Sequence, residues 1–264
     1  MQQLDAERLR GLTKMDVMII WALFDSGNGS YTNVAKNMPS VEIYPIGLDI
    51  ENKNDHFINL DLSDYSYLFG DNKLIDTLSE LPHPDLIIAS PPCESWSVAS
   101  AMKDGNASWK QEKGDSLFSS QTPLSRFTIR GHKDYEPSNV QFKYDRSFVN
   151  RINGELCTYN TIKIIKHFKP KFYIIENPAT SRMWEYIENV IGFDIPHENM
   201  TYYNNYGYEL KKPTKFKSNL DLQLKRANTH VGYSMSERMR GYNARSNIPA
   251  ELVEDIFDKV RLSL

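Results

Sequence analysis

A short apolar run, Leu86-Ile87-Ile88-Ala89, ends at Ser90-Pro91-Pro92-Cys93. This stretch narrows the folds open to the chain more than any other. Four apolar residues in succession are too few for a buried helix. They suit a strand covered on both faces, as in a parallel sheet. Neither proline can donate a ladder hydrogen bond, so the strand stops there. Parallel strands need long crossovers, usually helical, so the chain is predicted to be α/β. Open sheets of that class bind ligands outside the carboxyl ends of their strands, and Cys93 sits at such an end. A free cysteine is often just a small buried apolar residue. The polar loop that follows, Glu94-Ser95-Trp96-Ser97, tips the balance narrowly to a nucleophile.

Other segments read as companions of this strand. Val17 to Phe24 is a second short apolar run, and it leads into Asp25-Ser26-Gly27-Asn28-Gly29-Ser30. Glycines at 27 and 29 allow a tight turn and close backbone approach to a ligand. A helix is predicted around Tyr31 to Lys36. About 20 residues further on, Ile43 to Ile50 reads as a strand that delivers Asp49, the position of a ribose-binding acid in nucleotide-binding units. Phe57 to Leu62 is a third strand, with Asp61 at its end and in reach of a purine amino group. Leu74, Ile75, Leu78 and Leu81 mark an amphipathic helix. Arg151 to Phe168 returns to helical spacing, with Ile152, Leu156, Ile162, Ile165 and Phe168 on one side. Phe172 to Ile175 is a further buried strand, and it hands Glu176-Asn177-Pro178 to the same sheet edge as Cys93. Glu176 can serve as an acid there if burial raises its pKa, or it can cap a helix around Thr180 to Val190. Tyr202 to Tyr208 reads as a strand and turn. A terminal amphipathic helix follows Pro249, with Leu252, Val253, Ile256, Phe257 and Val260 inward.

Charge is uneven. The chain of 264 residues has a net charge of −3, yet residues 200–246 hold nine lysines and arginines against three acids. Lys211, Lys212 and Lys215 form the densest part. A charge run is most often a solvated face, but this one on an acidic background favours a polyanion contact. Residues 94–150 form a long polar insertion in which basic and aromatic residues interleave, a pattern suited to phosphate contacts and base stacking. The acids among them leave a solvated insertion equally open.

Composition limits the rest. Two cysteines, Cys93 and Cys157, make neither a disulfide framework nor a zinc site. They point to a reducing, cytoplasmic setting. No apolar run approaches the roughly 20 residues that cross a bilayer. The N-terminal residues lack the pattern of a signal peptide. The length suits one large α/β domain or two small ones; a single domain, 1–264, is expected, with the insertion 94–150 and the basic segment 200–246 as candidate nucleic-acid-binding elements.

In this order the motifs resemble those of the DNA cytosine-5 methyltransferase family, in its short phage or mobile-element form. The likeness spans most of the chain outside 94–150. Asp25 to Ser30 resembles the cofactor Gly-loop, and Ser90-Pro91-Pro92-Cys93 the motif of the catalytic cysteine. Glu176-Asn177-Pro178 resembles Glu-Asn-Val. Tyr206-Gly207 with the lysines resembles the basic motif, and Arg245 to Pro249 the late motif that closes the cofactor site.

The resemblance implies a Rossmann-like sheet with helices on both faces and S-adenosylmethionine as cofactor. Asp25, Gly27, Gly29, Asp49, Ile50, Asp61, Leu62 and Asn247 would bind it. Catalysis would fall to Cys93 and Glu176, and DNA contact to Lys211, Lys212 and Lys215. A cognate restriction endonuclease is implied as a partner, with no metal and no membrane. Three departures stand out. Two residues separate Phe24 from Gly27 where the family has one. Lysines replace Gln-x-Arg-x-Arg, and Ser246 replaces a glycine. About 30 residues between the basic motif and Asn247 leave little or no room for a separate target-recognition domain. Rival readings are an RNA cytosine-5 methyltransferase and a non-catalytic nucleic-acid-binding module. An amino-methyltransferase is disfavoured because Cys93 stands where those enzymes carry an aromatic residue.

Overall fold

The structure is a computed structural model. It describes residues 17–25, 29–48, 57–96, 144–227 and 247–264, together with a two-residue ladder pairing 109–110 with 128–129. Seven strands form one sheet. They are β1 (Met18–Leu23), β2 (Val41–Gly47), β3 (Ile58–Asn59), β4 (Leu86–Ala89), β5 (Phe172–Pro178), β6 (His197–Tyr202) and β7 (Pro213–Ser218). Their spatial order is β3-β2-β1-β4-β5-β7-β6. The first five are parallel. β7 inserts antiparallel between β5 and β6. This is the Rossmann-like topology of S-adenosylmethionine-dependent methyltransferases.

Strand periodicity divides the core into two layers. Along β1, Met18, Ile20 and Ala22 face one cluster, and Trp21 and Leu23 the other. β4 repeats the pattern, with Leu86 and Ile88 on one face and Ile87 and Ala89 on the opposite one. Side chains alternate across a strand, so an unbroken apolar run must be covered twice. Helices α1 (Ser30–Ala35) and α5 (Ala250–Leu262) cover the first face. Helices α2 (Lys73–Ser79), α3 (Tyr144–Phe168) and α4 (Met183–Tyr186) cover the second. Each fully buried Leu, Ile or Phe contributes about 1.5–3 kcal/mol. The five inward residues of α5 are all buried, as its spacing predicts.

Several elements differ from the sequence reading. Helix α3 starts at Tyr144, seven residues before Arg151. Its first turns bear exposed side chains, Phe148 and Val149 among them, so no burial period marks the start. Ile152, expected inward, is 38% exposed. The inward side uses Cys157, Thr158, Asn160 and Thr161 instead. The two threonine hydroxyls donate to the carbonyls of Gly154 and Cys157, both at 2.8 Å. These bonds satisfy the polar atoms inside the core. β3 has only two residues, and Asp61 lies beyond it in an exposed turn. A 3₁₀ turn, Ser66–Phe69, precedes α2. Helix α4 has one turn and passes into a π-turn at Ile187–Ile191. Of the strand and turn expected over Tyr202 to Tyr208, the strand ends at Tyr202 and the turn is a 3₁₀ turn, Tyr203–Tyr206, closed by Gly207 at φ +74°. Most of the insertion 94–150, and Arg238, Arg240 and Arg245 of the basic segment, lie outside the described residues.

Candidate active site

β4 and β5 are adjacent and parallel, with Ala89 level with Ile175. The next residues, Ser90 and Glu176, therefore emerge side by side at the carboxyl edge. Glu176 belongs to β5 and caps no helix; it is 6% exposed. The two motifs are tied directly. Asn177, itself buried, donates its side-chain amide to the Pro91 carbonyl at 2.9 Å. Behind the prolines the chain turns tightly, with the Trp96 N–H on the Cys93 carbonyl at 3.1 Å. Helix α3 backs this turn. The Ser95 hydroxyl donates to the Asn150 carbonyl, and a Cβ at Gly154 would lie 2.5 Å from Ser95 Oγ. Only glycine admits the helix that close. From the far side the Arg182 N–H bonds the Trp96 carbonyl at 3.1 Å. Cys93 is thus held half-buried at a fixed strand end.

Burial pushes the Cys93 thiol up, and the nearby Glu176 carboxylate adds to this, while the Lys212 ammonium opposes them. Burial also raises the Glu176 carboxyl; Lys212 and hydrogen bonds from Ser90 and Tyr203 pull it back. One lysine thus stabilises both anions, because it lies close to both. Its ammonium also rests over the Tyr203 ring, 4.8 Å from the centroid. Lys212 therefore lies near the Cys93–Glu176 pair as well as in the lysine run that the sequence reading gave to the phosphates. Lys215 pairs with Glu198 across the β6–β7 ladder at 3.0 Å. The Lys211 ammonium lies 5.6 Å from the Tyr202 ring centroid.

Three residues of this site were not singled out from the sequence. Tyr203 directs its hydroxyl at Glu176 Oε1, 3.5 Å away. Ser90 Oγ lies 2.8 Å from the Tyr31 hydroxyl. Both tyrosines are buried, at 3% exposure for Tyr31 and 0% for Tyr203. Burial and the Glu176 charge push both phenols well above the ordinary tyrosine range. Ser90 could have been found, since it opens the Ser-Pro-Pro-Cys motif. No local signal places Tyr31 or Tyr203 beside Glu176.

The second half of the site lies where β1 and β4 part, the point at which the strand order reverses. Asp25, 4% exposed, accepts from the Gly29 N–H at 3.1 Å and the Thr32 N–H at 3.2 Å. It ties the end of the first strand to the first turn of α1. Gly27, Asp49 and Ile50 lie outside the described residues. Asp61 is exposed and accepts from the Ser63 N–H at 2.8 Å and hydroxyl at 2.7 Å. Leu62 is buried, and its carbonyl accepts from Asn160 of α3 at 2.9 Å. Asn247 is exposed next to Ile248, whose N–H donates to Ser30 Oγ at 2.8 Å. That bond brings the late motif to the Gly-loop across 218 residues of sequence.

No protein-family model matches the chain, and no curated protein matches it. One similar solved structure is a candidate DNA modification methyltransferase encoded within an E. coli prophage. It shares 15% identity at a TM-score of 0.40, over 76% of this chain and 46% of that one. The chain thus spans less than half the length of that protein. Among the described residues no helix is long and apolar enough to cross a membrane. No group of three or more His, Cys, Asp or Glu side chains among them could hold a metal ion.

Proposed function

We propose that the chain is an S-adenosylmethionine-dependent DNA cytosine-5 methyltransferase. The observation that supports it most is the pairing of a half-buried thiol, Cys93, with a buried carboxyl, Glu176, at two adjacent strand ends. Cytosine C5 is a weak nucleophile. Addition of the Cys93 thiolate at C6 forms an S–C6 bond and moves the ring's electron density toward C5. Glu176 holds or protonates N3 and so stabilises the charge that builds up during addition. After C5 is methylated, its proton is lost and the S–C6 bond breaks, which restores the ring. Lys212 favours the thiolate needed for the first step. The target base leaves the helix stack to reach this depth. Lys211, Lys215 and the 94–150 insertion are assigned to the DNA backbone.

The residues at the β1–β4 fork suit the cofactor. The Asp61 carboxylate and Asn247 are both exposed, and Asp25 binds the Gly29 and Thr32 N–H groups at the start of α1. Asp61 and Asn247, with Gly27, Gly29, Asp49, Ile50 and Leu62, would hold S-adenosylmethionine, and Asp25 would support the loop. When bound, this group supplies an electrophilic methyl.

The test is mass spectrometry of nucleosides from DNA and RNA of cells expressing the protein, beside a Cys93→Ala control. 5-Methylcytosine in DNA that is absent from the control is the expected result. Methylated adenine or N4-methylcytosine would overturn the mechanism, and 5-methylcytosine confined to RNA would overturn the substrate.

A further inference from the structure

Glu176 lies among hydroxyls that come from three separate elements: Tyr31 from α1, Ser90 from the end of β4, and Tyr203 from the 3₁₀ turn after β6. We propose that Tyr203, Ser90 and Tyr31 are positioning residues that form a hydroxyl clamp fixing the orientation and protonation of Glu176. This inference rests on the reading of Glu176 as the group that meets the target base.

The clamp needs a set direction for every bond. A carboxylate has only lone pairs, so Tyr203 must donate to it. Ser90 leaves β4 level with Glu176, and in the clamp it donates to the carboxylate as well. That spends the single serine proton. Either hydroxyl can donate in the 2.8 Å contact between Tyr31 and Ser90, and the clamp requires the tyrosine to donate to the serine. The sequence Tyr31 to Ser90 to Glu176 meets Tyr203 to Glu176 at one carboxyl.

Packing does not account for these hydroxyls. Tyr31 and Tyr203 belong to the same apolar cluster as Phe216 and Phe257. Phenylalanine would fill either place with no polar atom to satisfy. A buried polar chain is costly unless every member is paired, and here the pairing ends on the one carboxyl the chemistry needs. The other charged or titratable groups facing the network are Lys212 over the Tyr203 ring, Cys93 beside Glu176, and Asp25 near Tyr31.

Two measurements test the clamp, each on the full chain carrying Tyr203→Phe, Ser90→Ala, Tyr31→Phe or the Ser90/Tyr31 double change. The first follows the infrared carboxyl band that disappears in Glu176→Gln, as a function of pH. Loss of a donor removes support for the carboxylate, so the midpoint rises in Tyr203→Phe and in Ser90→Ala. The second is kcat and KM for DNA across pH. Losing one hydrogen bond to a charged group is expected to lower kcat about 10-fold with little change in KM. The double change is no worse than Ser90→Ala alone, because Tyr31 acts through Ser90. An unmoved infrared midpoint in both Tyr203→Phe and Ser90→Ala overturns the clamp. Full additivity of Tyr31→Phe and Ser90→Ala in kcat overturns the relay from Tyr31. A shifted band in a protein that methylates no cytosine leaves the clamp standing and removes the cytosine-5 reading.

Discussion

Replacing Gly29 by alanine isolates what the Gly-loop needs from its second glycine. The backbone there has φ −74° and ψ 179°, which any L-residue adopts. Conformational freedom is therefore not the reason for glycine. A Cβ at this position would lie 2.5 Å from Asp25 Oδ1, 2.8 Å from Cγ and 2.9 Å from Oδ2. Ordinary contact begins at 3.4 Å, so about 0.9 Å of movement is required. The carboxylate cannot retreat without releasing the Gly29 and Thr32 N–H groups that it binds. Losing one such charge-assisted bond, or overpacking by one methyl, costs about 1.5–3 kcal/mol. Gly29→Ala should therefore destabilise by about 2 kcal/mol, read from urea unfolding midpoints at constant m-value. Asp25→Ala should cost at least as much, since it deprives both donors. In the double variant the clash is gone, so its loss should match that of Asp25→Ala alone. The coupling is then about 2 kcal/mol. If the two single losses simply add, steric exclusion by Asp25 is not why residue 29 is glycine.

Two further outcomes follow from burial at the site. Glu176 titrates above its ordinary value of 4.5 in the folded chain. Wild-type stability should then fall as pH rises from that value through the folded pKa, and level off beyond it. Glu176→Gln should lack that segment of the curve, so its advantage over wild type appears on the neutral side and vanishes in acid; parallel curves from chemical unfolding at several pH values would refute this. The thiols should also differ in reactivity. Burial, with Asp61 nearby, pushes Cys157 up to about 12, while Cys93 is half-buried and has Lys212 beside it. Iodoacetamide should label Cys93 first, and Lys212→Met should slow that labelling. Peptide mapping that finds Cys157 modified first would contradict the assignment.

Legibility followed burial. Strands β1, β4 and β5 are readable because their residues are covered on both faces and leave unbroken apolar runs. Helix α5 is readable because it is covered on one face only, which leaves a 3.6-residue period. The start of α3 is not, because its first turns expose Phe148 and Val149 and its inward side is built from small and polar residues. Tyr202 to Tyr208 reads as a strand and turn, but where the strand stops is not legible: it ends at Tyr202, and Tyr203 lies in the core from within the 3₁₀ turn.

The sequence alone determined the α/β class and the two strand ends that carry Cys93 and Glu176. Proline, glycine and apolar runs act locally, on the residues that hold them. The tertiary structure decided which groups surround that pair. Antiparallel β7 lies next to β5, which turns Lys212 from one lysine in a basic run into the cation beside both Cys93 and Glu176. The packing of α1 on the sheet brings Tyr31 to Ser90 across 59 residues. Hydrogen bonds and Coulomb forces depend on distance in space, and spacing along the chain does not encode that distance.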